Sequence, residues 1–239
     1  MKKQLLILGL VWPEPNSSAA GSRMIKLIEL FLFNGWKITF ASAAQKSEYS
    51  YLPDDVNIET ATIQVNDSSF DQWISGIQFD VVLFDRFIME EQFGWRVAEF
   101  CPNAIRILDT EDLHFLRYAR HQALNDGLIP KEINLQNDHA KREIASILRC
   151  DISLIISSFE MQLLQKEFLI SKDLLHYLPF KTDFNKNLNL IPFEERTDFV
   201  SIGNFFHAPN LDAVKILKKQ IWLPIRKSLP HAKLHIYGA

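Results

Sequence analysis

The densest run of reactive side chains is Asp109-Thr-Glu-Asp-Leu-His114, with three carboxylates and one imidazole inside six residues. Groups of these types, so close together, can hydrogen-bond ligand hydroxyls or relay a proton. The same residues have a plainer use. Asp109 or Thr110 makes a good helix N-cap, and acids in a first helical turn complement the helix dipole. The two uses are compatible, because a capping residue can also touch a ligand. A second run, Ser17-Ser-Ala-Ala-Gly-Ser22, concentrates hydroxyls and a glycine in one turn. Ser17, Ser18, Gly21 and Ser22 can bring the N–H groups of a helix start against an anionic or hydroxylated ligand. Alternatively, Ser17 or Ser18 is an N-cap and the small residues allow tight packing of helix on sheet. Asp85-Arg86 reads as a structural ion pair, and Ser157-Ser-Phe-Glu160 as an N-cap with an acidic first turn. Neither a Walker A motif nor Gly-x-Gly-x-x-Gly is present.

The elements that must position these groups alternate along the chain. The run Leu5–Val11 lacks polar alternation, as a central parallel strand should. Met24, Leu27, Ile28 and Phe31 recur at helical spacing, and Asn34-Gly35 supplies a stop. Further strands are expected at Lys37–Ala41, within Val56–Ile63, and at Phe79–Phe84, Ala104–Leu108, Asp151–Ile156 and Leu174–Leu178. Helices are expected at Glu90–Phe100, Asp112–Asn125, Gln136–Leu148 and around Glu160–Phe168. This order predicts an α/β fold, a Rossmann-like doubly wound parallel sheet. Each candidate run then follows a strand, at the carboxyl edge where open α/β sheets bind ligands.

Residues 1–180 read as one such domain, and 181–197, rich in asparagine, as a linker. Residues 198–239 read as strand (Asp198–Gly203), helix (Pro209 to about Ser228) and strand (Lys233–Gly238). One β-α-β unit cannot bury both faces of its sheet. The expectation is therefore a second domain present only as its opening. Its apolar stripe of Val214, Leu217 and Ile221 would pack on the first domain, associate with another copy, or remain loosely ordered.

A net charge of −3 gives no reason to expect nucleic acid. Cys101 and Cys150 fit neither a disulfide framework nor a zinc spacing, so a reducing cytoplasm is expected. No metal ligand set is apparent, and the apolar N-terminal run is too short to span a membrane. Arg117, Arg120, Lys141, Arg142 and Arg149 form either a basic face for the inner surface of a membrane or ordinary solvated helix faces.

Taken together, three segments resemble GT-B glycosyltransferases of family four. Gly9-Leu-Val-Trp-Pro-Glu-Pro-Asn-Ser-Ser-Ala-Ala-Gly-Ser-Arg23 is similar to the first strand and acceptor-side loop. Ile107–His114 resembles the loop carrying acceptor-contacting and catalytic groups. Phe199-Val-Ser-Ile-Gly-Asn-Phe-Phe-His-Ala-Pro-Asn-Leu-Asp-Ala-Val214 is similar to the start of the nucleotide-sugar-binding domain. The resemblance implies two Rossmann-like domains and retaining transfer from a nucleotide-diphosphate sugar to a glycan or lipid-linked acceptor, as in cell-envelope polysaccharide synthesis. It implies no cofactor and no obligatory metal. It places catalysis in this loop, at Asp109, Asp112 or His114, of which the carboxylates are favoured because they lie nearer the strand end. Acceptor binding falls to Ser17, Ser18, Gly21, Ser22 and Glu111, and donor binding to Gly203 and Asn204. The family's remaining donor groups lie downstream, so the 239-residue chain is expected not to catalyse transfer alone. A GT-B-fold sugar-nucleotide epimerase or hydrolase, or a non-catalytic sugar-binding protein, are the alternatives.

Overall fold

The computed structural model describes residues 2–128, 133–181 and 191–238. The chain divides into two compact units, Met1–Lys181 and Thr182–Ala239. Most of the linker expected over 181–197 lies outside the described residues.

The first unit contains strands β1 (Gln4–Gly9), β2 (Lys37–Ser42), β3 (Ile58–Thr62), β4 (Val81–Asp85), β5 (Ile105–Asp109), β6 (Ile152–Ile155) and β7 (Leu175–Tyr177). Its helices are α1 (Ala19–Phe33), α2 (Ser69–Ser75), α3 (Arg86–Phe100), α4 (His114–Asn125), α5 (Asp138–Arg149) and α6 (Ser158–Glu167). The seven strands form one sheet in the order β3-β2-β1-β4-β5-β6-β7. Every neighbouring pair is parallel. The strand order therefore reverses between β1 and β4, which opens a crevice at their carboxyl ends.

Alternation of side chains across the pleat divides the core in two. Leu5 and Ile7 of β1 join Met24, Ile25, Leu27 and Ile28 of α1 on one face. Leu6 and Leu8 join Phe70 of α2, Phe93 of α3, Phe115 of α4 and Ile147 of α5 on the other. Burial of one such side chain contributes about 2 kcal/mol, and both faces are covered as an all-parallel sheet requires. Helix α2 has no counterpart in the sequence-based expectation. It spans only seven residues, and its apolar signal is the short set Phe70, Trp73 and Ile74.

The second unit pairs β8 (Phe199–Ile202) with β9 (Leu234–Tyr237) in parallel. The single helix expected between them is α7 (Ala208–Ile216), a π-helical turn at Leu217–Ile221, and α8 (Trp222–Ser228). Pro224 explains the interruption: it has no N–H to donate, and its ring crowds the carbonyl four residues earlier. Trp222 packs edge-on against Phe199, with ring centroids 5.6 Å apart. None of the described residues of this unit is fully buried.

Among the described residues, no helix is long and apolar enough to cross a membrane. The expected basic face is mostly neutralised. Arg142 pairs with Glu91, Arg149 with Glu90, Lys141 with Asp138 and Arg117 with Asp112. Arg120 lies over the Phe159 ring at 5.6 Å.

Candidate functional site

A cleft opens at the strand-order reversal. Its walls are Trp12 and Glu14 from the loop after β1, Ser18, Gly21 and Met24 from the start of α1, Asp85 and Arg86 after β4, and Glu111 after β5.

The β1–α1 wall is built by local rules. Ser18 is the N-cap of α1, and its Oγ accepts from the Gly21 N–H at 3.0 Å. Ser17 N and Ser18 N both donate to the Glu14 carbonyl at 3.0 Å, which folds the loop back over the helix. Gly21 is required by that fold, because a Cβ there would collide with the Glu14 backbone. Ser22 Oγ donates to the Pro15 carbonyl at 2.7 Å, tying down the same loop. Trp12 is anchored by an indole N–H bond of 2.8 Å to the Ala44 carbonyl. Ser18 and Gly21 thus serve the capping use and line the cleft as well, whereas Ser17 and Ser22 shape the loop without lining it.

The opposite wall rests on unusual backbone. Strand β4 ends at Asp85 and α3 begins at Arg86 without a connecting residue. The reversal is made by Arg86 at φ 71°, and Glu111 sits at φ 58°. A left-handed conformation costs a non-glycine residue about 1–2 kcal/mol, and such strain gathers where a side chain must be aimed. Both side chains reach the cleft and meet there: Arg86 Nε donates to Glu111 Oε2 at 2.9 Å and lies 3.5 Å from Asp85 Oδ1.

Asp85 is 3% exposed. Its Oδ2 accepts from Leu10 N at 3.0 Å, while its Oδ1 has no hydrogen-bond partner. Burial raises the Asp85 carboxyl, against the pull of Arg86. Burial also lifts the Glu111 carboxyl to about 7, and the charge on Asp85 adds to the lift, while Arg86 opposes it. Glu111 therefore changes charge near neutrality in a cleft that it lines.

The residues expected to be catalytic fall outside this lining. Asp109 is completely buried, with its carboxylate held by Arg23 Nε at 3.0 Å and Nη2 at 2.9 Å. Arg23 also donates to the Leu178 carbonyl at 2.8 Å. Asp109 braces α1 against β5 and β7. Asp112 is partly exposed and pairs with Arg117 at 3.2 Å. His114 is the first residue of α4 and packs edge-on against Phe87, with ring centroids 5.4 Å apart. Burial, helped by the Arg117 charge, lowers its imidazole to about 4, so it is neutral at physiological pH.

The local capping expectation for Asp109 and Thr110 is corrected. The N-cap of α4 is Leu113, which has no side chain able to cap. Two buried glutamates from other helices take that role. Glu143 of α5 accepts from His114 N at 3.2 Å and Phe115 N at 2.9 Å, and Glu160 of α6 accepts from Leu113 N at 3.2 Å. Thr110 Oγ1 instead donates to the Leu154 carbonyl at 2.9 Å. Ser157 caps α6 as expected.

Gly203 and Asn204 follow β8 in the second unit. Gly203 N donates to the Tyr237 carbonyl at 3.0 Å, and the Asn204 side chain accepts from Phe206 N at 2.9 Å. The Asn204 amide oxygen is therefore occupied in shaping its own turn.

Sequence reasoning placed Glu111 at the site and took Asp85-Arg86 for an isolated structural pair. Their position just after the strand beside β1 was the available signal. Among the described residues, no group of three His, Cys, Asp or Glu side chains is arranged to hold a metal ion.

No protein-family model matches the sequence, and no curated protein matches it. Among solved structures, it is similar to the apo form of the lipopolysaccharide outer core galactosyltransferase WaaB, at 14% identity and a TM-score of 0.60. That likeness covers 98% of this chain and 60% of the other, so the chain spans about 60% of its length. A short-chain dehydrogenase/reductase from Veillonella parvula in complex with NADP aligns at 15% identity and a TM-score of 0.39, over 66% of this chain and 70% of that one. A DNA/pantothenate metabolism flavoprotein from Streptococcus pneumoniae aligns at 13% identity and 0.31, over 54% and 78%. The fold is Rossmann-like and resembles that of a GT-B glycosyltransferase.

Proposed function

We propose that this chain belongs to a glycosyltransferase that moves a sugar, with retention of configuration, from a nucleotide-diphosphate donor to a glycan or lipid-linked acceptor. The observation that carries the reading is the polar cleft at the β1/β4 reversal, within a fold similar to a galactosyltransferase. In this reading the cleft receives the acceptor. Ser18 and the loop it caps form one wall, and Arg86 and Glu111 form the other. Asp109 acts as a positioning residue, holding α1 against the sheet through Arg23 rather than touching substrate. The second unit contributes to the donor side through the turn at Gly203 and Asn204. Gly203 has no side chain of its own to hold a diphosphate off the backbone, and the Asn210 side chain packs beside it.

A second reading is a hydrolase or epimerase on the same fold. It is favoured by Glu111, a cleft carboxyl raised to about 7, which is suited to acid–base work at neutral pH. Incubation with labelled nucleotide sugars and a panel of glycan and lipid-linked acceptors separates the readings. A glycoside product of unchanged anomeric configuration is expected from the whole enzyme, and none from the 239-residue chain by itself. Free sugar or an epimerised nucleotide sugar, formed without acceptor, would favour the second reading.

A further inference from the structure

We propose that Asp85 and Glu111 form a subsite for an adjacent pair of sugar hydroxyls, and that this cleft excludes phosphate and carboxylate groups. The inference deepens the acceptor role proposed above and rests on it: the bound part of the acceptor is an uncharged sugar ring rather than a phosphorylated or acidic group.

Three observations converge. First, Asp85 is almost wholly buried at the cleft wall, and its Oδ1 accepts no hydrogen bond. Arg86 Nε, 3.5 Å away, gives this oxygen an opposite charge but no hydrogen bond, and a ligand hydroxyl entering beside it would supply the missing donor. Second, Arg86 fixes the spacing of the two acceptors. Its Nε lies 2.9 Å from Glu111 Oε2 and 3.5 Å from Asp85 Oδ1, so both carboxylates are held around one guanidinium. Both Arg86 and Glu111 are held in left-handed backbone to present these groups. Third, the charge balance disfavours anions. Among the described residues, the lining carries the carboxyl groups of Glu14, Asp85 and Glu111 against one cation, Arg86, which Asp85 and Glu111 already engage. An anion would meet uncompensated like charge in a partly desolvated site, whereas a hydroxyl donates to a carboxylate in a charge-assisted bond.

The test is ligand-observed NMR on the 239-residue chain at about pH 8, where a carboxyl of pKa about 7 is ionised. The probes are methyl glucoside and methyl galactoside, set against glucuronate, a hexose phosphate and inorganic phosphate. At least one neutral glycoside is expected to bind about tenfold or more tightly than the anions, in line with the cost of like-charge contacts. Glu111→Gln is expected to weaken the glycoside and narrow its margin over glucuronate, with the thermal unfolding temperature monitored in parallel. The comparison in the unsubstituted protein stands even if a variant fails to fold.

Equal or tighter binding of the anions overturns the proposal. Failure of every neutral glycoside to bind at tens of millimolar does the same. So does an unchanged preference in a folded Glu111→Gln protein. The functional reading falls separately: glycoside binding by this chain, with no transfer by the whole enzyme, leaves this subsite standing and removes the transferase. Transfer to an anionic acceptor group held in the cleft does the reverse.

Discussion

Arg23 in α1 and Asp109 at the end of β5, 86 residues apart, share a buried guanidinium–carboxylate pair at the carboxyl edge of the sheet. The pair links α1 to the end of β5, and so holds the elements that carry the two cleft walls in register.

Removing one partner should therefore cost more than an ordinary polar substitution. Asp109→Ala leaves the Arg23 guanidinium buried and unpaired, and a loss of about 3–5 kcal/mol is expected. A double change to apolar residues, Arg23→Met with Asp109→Leu, should recover part of that loss. Urea unfolding of the four proteins measures both. A single variant within about 0.5 kcal/mol of the parent would contradict the bracing role.

The buried cap of α4 predicts how stability varies with pH. Burial lifts the Glu143 carboxyl from 4.5 to about 8, against the pull of the Phe115 and His114 N–H groups. Between those values the folded protein retains a proton that the unfolded chain has released. Stability from this group therefore falls as pH rises from about 4.5 to 8 and is level above that. Glu143→Gln cannot ionise, so its Tm should decline less steeply across the window. Equal slopes for the two proteins would remove Glu143 as a source of the decline.

Ser18→Ala removes the acceptor for Gly21 N and should destabilise by about 1 kcal/mol, while Ser18→Asn should restore most of it. Denaturation midpoints decide this, and a neutral alanine variant would mean that water replaces the cap without cost.

Gly21→Ala should be worse than Ser18→Ala despite its smaller chemical change. The new methyl meets the Glu14 backbone, which has to move with the loop that carries Trp12. A cost of about 1–3 kcal/mol is expected, together with displaced resonances for the Trp12 indole. An unshifted spectrum would show that the loop is not held as described.

Asp112→Ala breaks a partly exposed ion pair with Arg117, worth at most about 1 kcal/mol, and a 3.6 Å contact with the neutral His114 ring. It should leave glycoside binding in the cleft unchanged, and His114→Ala should do the same because neither residue lines it. A large loss of binding in either folded variant would return that residue to the site.

Much of this protein is written in local pattern. Unalternated apolar runs locate the parallel strands, and the helical spacing of Met24, Leu27, Ile28 and Phe31 locates α1. A parallel sheet collects all strand ends on one edge, so the serines after β1 and the acids after β5 had to share it. Which polar side chain faces the cleft was decided in three dimensions. Asp109 and Glu111 lie two residues apart with similar chemistry. Arg23, distant in sequence, neutralises the first beneath the surface, while left-handed backbone turns the second outward to Arg86. Likewise, α4 begins without a usable local cap because Glu143 and Glu160 arrive from other helices. The role of a charged side chain depends on which partner shares its burial. That partner is chosen by packing between distant segments, beyond the reach of any pattern of neighbouring residues.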